Sequence, residues 1–295
     1  RLVRMALHSR ERLRDIANRE QIDFDMRESG LMHVYATKAQ FETAAGANKI
    51  FTTCGLDRRA VTPAEIRTIE PALSGDYYGG FFTPGDFSGD VHKFSLGLLD
   101  VCRARGVEAR FGNGIRAIEA TGGKVRLVLE SDEDMTFDNV VICAGVGSRR
   151  LAAMLGDRVN VYPVKGYSLT LDIAPETPSD GAPKTALLDE AAKIVTSRLG
   201  ARVRIAGLAE FRGRDLSIDP ARAAVLERWA KVHFPRLIAD ETLTWAGLRP
   251  MMPSMTPTLG PGRKPGVFYN TGHGHLGWTL SAGTAETIAG IVDNA

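Results

Sequence analysis

The sequence predicts a mixed α/β (α+β) fold in which two domains interleave, and three observations predict it. Two segments repeat the order buried strand, glycine-rich turn, helix. Val140–Ala144 runs into Gly145-Val146-Gly147-Ser148 and the helical Leu151–Leu155, and Val267–Thr271 runs into Gly272–Gly277 and the helical Trp278–Val292. Between them, from Val159, the apolar period drops to two over Val161–Ile173, Lys193–Ser197 and Val203–Phe211, with a hairpin turn at Leu199-Gly200-Ala201. That is the pattern of antiparallel strands. No internal repeat and no low-complexity linker separates the two patterns, so residues 1–88 and 160–246 are expected to form one domain, and residues 89–159 and 247–295 the other.

Each element has a local reason. Arg1–Glu20 is an amphipathic helix already under way at the first residue; its six Arg alternate with Glu11, Asp15 and Glu20, as on a solvated face. Gly30-Leu31-Met32-His33-Val34-Tyr35 reads as a strand and Lys38–Ala47 as a helix. Thr62-Pro63-Ala64-Glu65 carries a capping box with proline at the first helical position. Gly75–Gly89, rich in glycine and aromatics, reads as loop and turn. Asp90 caps a helix whose apolar residues Phe94, Leu98, Val101 and Cys102 recur three or four apart, ending at Gly106. Val107–Phe111, Ile115–Ala120, Lys124–Glu130 and Phe137–Ala144 read as strands, the last continuously apolar from Val140, as for a strand covered on both faces, with Cys143 a small buried filler. Asp219-Pro220 opens a helix over Ala221–Phe234, and Pro235 closes it.

The composition excludes several classes. With 295 residues, 44% hydrophobic, 24% charged and a net charge of 37 − 35 = +2, the chain matches a globular protein and not a disordered, collagenous or coiled-coil one. No Lys/Arg block marks a nucleic-acid surface. No stretch of 18 apolar residues spans a bilayer, and no apolar signal-peptide region opens the chain. Cys54, Cys102 and Cys143, odd in number and widely spaced, argue for a reducing compartment and against a zinc site.

Among the candidate motifs, Gly272-His273-Gly274-His275-Leu276-Gly277 matches GxGxxG between a strand and a helix. Only eighteen residues follow Gly277, too few for the rest of a βαβ unit and its acidic residue, so as a pyrophosphate turn it fails. The physics of the turn survives: glycines let a ligand approach the backbone, and the helix start offers N–H groups to negative charge. A purely structural turn is the competing reading. Ala144-Gly145-Val146-Gly147-Ser148 repeats the theme. Gly247-Leu248-Arg249-Pro250 sets a fork-shaped cation, suited to a carboxylate, between a strand-like stretch and a proline-rich loop. The six histidines are dispersed, without HExxH, so no metal is expected; no GxSxG marks a serine nucleophile.

Gly89–Phe94, Asp138–Ser148, Tyr162–Ser168, Gly247–Met251 and Asn270–Thr279 resemble, in that order, the FAD-dependent D-amino-acid dehydrogenase small subunit of the D-amino-acid oxidase superfamily, and the resemblance covers nearly the whole chain. It implies a discontinuous Rossmann-like FAD-binding domain, an antiparallel-sheet substrate domain, and oxidative deamination of D-amino acids to 2-oxo acids and ammonia, with electrons passing to a quinone or other acceptor. It also implies a cytoplasmic protein with peripheral association at the inner face of the membrane. Arg249 would pair with the substrate carboxylate. Gly272, His273, Gly274, His275, Leu276, Gly277, Trp278 and Thr279 would lie against the pyrimidine edge of the flavin. Ala144, Gly145 and Ser148 would pass near the FAD phosphates and ribose, Val107 near the adenine, and Lys165 and Gly166 beneath the ring system. Tyr77 and Tyr78 are candidate substrate-loop contacts.

The family normally opens with its own strand, GxGxxG turn and helix; none of that lies in Arg1–Ala295, and the start at Arg1 without Met reads as a chain that has lost its beginning. Pro253-Ser254-Met255 stands where relatives carry an Asp-Gly pair beside the substrate. Sarcosine-type relatives hold FAD through a Cys ahead of the last glycine loop; no Cys follows Cys143, which favours non-covalent FAD. A relative acting on D-hydroxyproline, sarcosine or an opine is the close alternative, and a non-catalytic scaffold subunit the alternative from another class.

Overall fold

The computed structural model describes Arg1–Ala295 throughout. α1 (Leu2–Glu20) buries Leu13 and Ala17, while its arginines pair outward, Arg12 with Asp15 and Arg14 with Glu11. β1 (Leu31–Tyr35) leads to α2 (Lys38–Thr53), which runs past the expected end at Ala47. The exposed Gly46 costs a helix only about 1 kcal/mol against alanine, and no proline follows to stop it. β2 (Arg59–Val61) precedes α3 (Pro63–Ile69), where the expected capping box forms: the Thr62 N–H donates to Glu65 Oε2 at 2.8 Å.

β3 (Gly79–Thr83) lies inside the stretch expected as loop. Its glycines serve close approach rather than turning: a Cβ on Gly80 would sit 2.7 Å from the His33 carbonyl oxygen. α4 (Val91–Ala104) starts at Asp90, whose Oδ1 accepts from the His92 and Lys93 N–H groups at 2.9 and 3.2 Å while Oδ2 takes Arg202 Nη2 at 2.6 Å. Asp90→Ala is therefore expected to cost about 1–2 kcal/mol through the lost cap; a denaturant midpoint equal to that of the parent would refute this.

β4 (Ile115–Thr121), β5 (Lys124–Leu129) and β6 (Asp134–Phe137) form an antiparallel meander. The strand expected at Val107–Phe111 is absent: these residues belong to no sheet, and Val107 and Phe111 are 55% and 70% exposed. Extended chain becomes a strand only when a neighbour takes its backbone groups. β7 (Val140–Ile142) is covered on one face, not two. Ile142 is buried, whereas Val141 and Cys143 are exposed, so Cys143 is no core filler. One 3-10 turn at Gly145–Gly147 joins β7 to α5 (Ser148–Met154).

The chain then builds β8 (Tyr162–Ile173), β9 (Ala186–Asp189), β10 (Ile194–Leu199), β11 (Arg202–Glu210), α6 (Pro220–His233), β12 (Ala239–Met251), β13 (Thr258–Pro261), β14 (Val267–Thr271) and α7 (Gly277–Asp293). Eight strands form one sheet in the order β12-β8-β11-β10-β9-β1-β3-β2, antiparallel except where β1 meets β9. Side chains alternate across it. On one face Tyr167, Leu169 and Leu171 join Leu187, Ile205 and, from α6, Leu226 and Trp229 in the largest core. Gly166, Ser168 and Thr170 look the other way. A smaller sheet, β13-β14-β7, pairs β14 and β7 in parallel with Tyr269 beside Ile142. That register sets the two glycine-rich turns side by side. α1 packs on α4 and α7, burying Leu13 and Ala17 with Phe94 and Ala282.

Candidate active site

Arg249 stands on β12 opposite Val164 of β8. Its guanidinium lies across Gly166, where a Cβ would come within 2.3 Å of Nη1. Nη1 donates to the Leu208 carbonyl at 2.9 Å and Nη2 to that of Gly207 at 3.4 Å. Both carbonyls belong to a bulge in β11, where the register shifts between Gly207 and Glu210 and Leu208 takes φ 63°. A non-glycine residue held in that region costs about 1–3 kcal/mol and such strain collects at functional sites. No carboxylate answers the cation, and burial pushes its pKa down. Beside it the Trp245 ring leans over Gly247, Arg204 lies 5.3 Å from that ring, and the buried Ser168 hydroxyl has no partner.

The Gly272–Gly277 loop docks directly on the end of β12. The Gly274 N–H donates to the Pro250 carbonyl at 3.0 Å. Gly272 and Gly274 have φ +79° and +60°, and a Cβ on them would meet Met252 Cγ at 2.6 Å and Met251 Sδ at 2.8 Å. Glycine is required there both for conformation and for space. α7 then begins with Leu276 as N-cap and no side-chain cap, which leaves first-turn N–H groups and the positive dipole end for a negative group.

Both loop histidines are shifted toward the neutral form. Thr284 spends its hydroxyl proton on the Leu280 carbonyl at 3.0 Å, so at 3.1 Å it accepts from His273 Nε2, and burial lowers the His273 pKa. His275 is lowered by burial and then by the Arg249 charge. Ser148, fully buried, shares a 2.7 Å hydrogen bond with Thr271 that ties one glycine turn to the other. Above Gly145 the space is open, with no atom within 4 Å of a built Cβ. The structure therefore sets Arg249, Gly166, Gly272–Gly277, Ala144, Gly145 and Ser148 near one another, whereas Trp278 packs on Phe24 and Phe94 and, with Thr279, faces the cavity beside α1. Ser168, Trp245 and the Leu208 bulge complete the site; no sequence signal marks Trp245 or the bulge, because each acts through register.

Four further expected residues lie elsewhere. Tyr77 packs on the α6 side of the sheet, its hydroxyl 2.8 Å from His233 Nδ1, on the face opposite Arg249. Tyr78 packs edge-on against Phe41 at 5.7 Å, next to β3 and thus near the far edge of the sheet. Val107 joins neither glycine turn. Lys165 turns its Nζ away from Gly166 to the opposite face, where it meets Asp215 at 3.2 Å, Glu210 at 3.4 Å and the Ser217 carbonyl at 2.9 Å. Strand alternation forces this: neighbours in β8 cannot share a face.

Hydrogen bonds from Ser217 and then Lys165 hold Asp215 down at about 2, against an ordinary 3.8. A depressed carboxylate stabilises the fold above its unfolded pKa and loses that contribution as pH falls. Melting temperature is thus expected to drop as pH is lowered from about 4 toward 2, and Lys165→Met should flatten that part of the profile. Identical profiles would remove Lys165 from the account.

Comparison with known proteins agrees with this geometry. A family model described as FAD dependent oxidoreductase, DAO, matches residues 1–291. D-amino acid dehydrogenase 3 of Mesorhizobium japonicum is 47% identical over 294 residues, covering 98% of this chain and 71% of that protein. The D-amino acid dehydrogenase of Phenylobacterium zucineum is 40% identical over 296 residues, covering 99% and 69%. Among solved structures, glycine oxidase from Geobacillus kaustophilus superposes with a TM-score of 0.89 at 22% identity, over 98% of this chain and 78% of that one. The chain belongs to the DAO family of FAD-dependent oxidoreductases.

The residues present fit such a cofactor. The uncapped start of α7, the open space over Gly145 and the orphaned buried Asn270 Oδ1 beside the loop are groups that a bound flavin nucleotide would engage.

Proposed function

We propose that the protein dehydrogenates a D-amino acid, yielding the 2-oxo acid and ammonia, with electrons passing to a quinone or other acceptor. The carrying observation is Arg249: a half-buried guanidinium without a carboxylate, held between a strained bulge and the Gly272–Gly277 loop. A substrate α-carboxylate supplies the missing charge and takes both arms of the fork. The names of the curated relatives support the substrate class. FAD, bound non-covalently by the α7 N-terminus, Gly272–Thr279 and the Ala144–Ser148 turn, supplies the hydride acceptor for the substrate Cα–H. Arg249 fixes the carboxylate and so orients Cα. The downward pKa shifts of His273 and His275 favour their uncharged forms, in which neither repels the substrate ammonium. Contact with a membrane-borne acceptor is proposed as peripheral, since no helix within Arg1–Ala295 is long and apolar enough to cross a membrane.

The test is the visible spectrum of the FAD-loaded protein under anaerobic conditions. D-amino acids are expected to bleach it and their L-enantiomers to leave it unchanged. Bleaching by sarcosine or D-hydroxyproline alone would replace the substrate class, and an unresponsive yellow protein would defeat the reading.

A further inference from the structure

We infer that Glu210 is a positioning residue for the substrate carboxylate: from the opposite face of the sheet it clasps the β11 bulge in the conformation that holds Arg249 over Gly166. The inference rests on the reading of Arg249 as the fork that takes that carboxylate.

Both hydrogen bonds of the Arg249 guanidinium go to carbonyls of this bulge. β11 pairs with β8 as far as Gly207 with Tyr167 and resumes at Glu210 with Lys165, so two residues, Leu208 and Ala209, lie against the single Gly166. A bulge leaves its extra residue out of the ladder, and the sheet's own hydrogen bonds do not fix it. Leu208 is moreover held at φ 63°, a conformation that a non-glycine residue keeps only where its surroundings over-determine it.

Glu210 supplies that constraint. Its side chain is 11% exposed; Oε2 accepts from the Tyr167 hydroxyl at 2.8 Å and meets Lys165 Nζ at 3.4 Å, while Oε1 takes Arg222 Nε, in the first turn of α6, at 3.0 Å. Tyr167 stands opposite Gly207 and Lys165 opposite Glu210, so one carboxylate is tied to β8 at both ends of the bulge and to the helix that covers it. Lys165 carries the tie on to Asp215 and the Ser217 carbonyl, which fixes the loop after β11. Lys165 and Tyr167 share the face opposite Gly166, so the clasp acts on the substrate only through the backbone of the bulge. Once it is released, Leu208 can leave the left-handed region and turn its carbonyl from Nη1; the Gly207 contact, 3.4 Å long, is too weak to hold the fork alone. Misplacing a positioning group by about 1 Å can cost roughly a hundredfold.

The experiment measures calorimetric binding of butyrate to the FAD-loaded protein, beside KM and kcat for a D-amino acid. Glu210→Ala is expected to weaken butyrate binding and raise KM about tenfold, with kcat within about twofold of the parent. Glu210→Gln, whose amide oxygen still accepts from Tyr167, should recover much of both. In an Arg249→Lys background no planar fork is left to place, so Glu210→Ala should weaken butyrate binding there by less than about twofold, whereas a merely structural role would act equally in both backgrounds. Tyr167→Phe, which deletes only the hydroxyl, should give the same pattern in smaller measure and decides the matter if Glu210→Ala does not fold. Butyrate needs no turnover: if D-amino acids leave the flavin unbleached while butyrate follows this pattern, the dehydrogenase reading falls and the positioning role stands. Parental butyrate affinity in Glu210→Ala, an equal loss in the Arg249→Lys background, or a parent that binds no butyrate would each overturn the proposal.

Discussion

Replacing Arg249 by methionine is expected to raise the KM for a D-amino acid by roughly a hundredfold, about 3 kcal/mol, the scale of losing a charge-assisted bidentate hydrogen bond. The fold should tolerate the change. The guanidinium has no carboxylate partner, so its removal orphans no buried charge; only the Leu208 and Gly207 carbonyls lose their donors, and methionine fills the same space. The melting temperature and the FAD content should therefore stay near those of the parent while turnover at low substrate collapses. Arg249→Lys should recover only part of the loss, because an ammonium is a point charge and the carboxylate needs the planar fork. Steady-state kinetics beside flavin content separates the two cases. A variant with unchanged KM would move carboxylate recognition to another residue, and one that loses FAD would make Arg249 part of the cofactor site.

Most elements were legible because their signals are local. Asp90, Thr62 and Asp219 cap where their spacing puts them, and the period-two stretches became β8, β10 and β11. The glycine turns were legible too, since a strand that runs into Gly-x-Gly and then a helix is a short-range pattern. What failed depends on partners distant in sequence. Gly79-Gly80 reads as a turn until β1 and β2 are known to lie against it, and Val107–Phe111 reads as a strand until its lack of a neighbour is known. Val140–Ala144 looks buried on both faces from composition alone, but coverage of the second face is a tertiary fact. Lys165 shows the same limit at the site. Its motif suggested the ring system, yet the face it points to is fixed by parity with Gly166, and the charges awaiting it, Glu210 and Asp215, sit some fifty residues on. Tyr77 and Tyr78 are candidates as aromatics in a glycine-rich loop; the Tyr77 hydroxyl meets His233 on the α6 side, and the half-exposed Tyr78 ring meets Phe41.

Gly166→Ala carries that parity argument to its sharpest consequence. Gly166 is not in the left-handed region, so alanine suits its backbone, and in a strand it should be worth about 0.5–1 kcal/mol over glycine. The obstacle is Arg249 alone: the three atoms nearest the new Cβ are Nη1, Cζ and Nη2 of its guanidinium, at 2.3–2.4 Å. The end of a long side chain can yield where a packed core cannot, so the sheet absorbs the methyl and the site does not. The guanidinium must leave the carbonyls of Gly207 and Leu208, and the carboxylate loses its fork. The expected result is a KM raised by roughly ten- to a hundredfold, about 1.4–2.8 kcal/mol, at a melting temperature equal to or above that of the parent. Gly247→Ala, the neighbour across the same pair of strands, is the control. There the Cβ would meet the Trp245 ring, 2.0 Å from Cη2, and not Arg249; that ring is 53% exposed and can swing outward, so KM should rise less than in Gly166→Ala. If Gly166→Ala keeps the parental KM, the position over Gly166 is not where Arg249 meets its substrate, and the guanidinium must act from another rotamer.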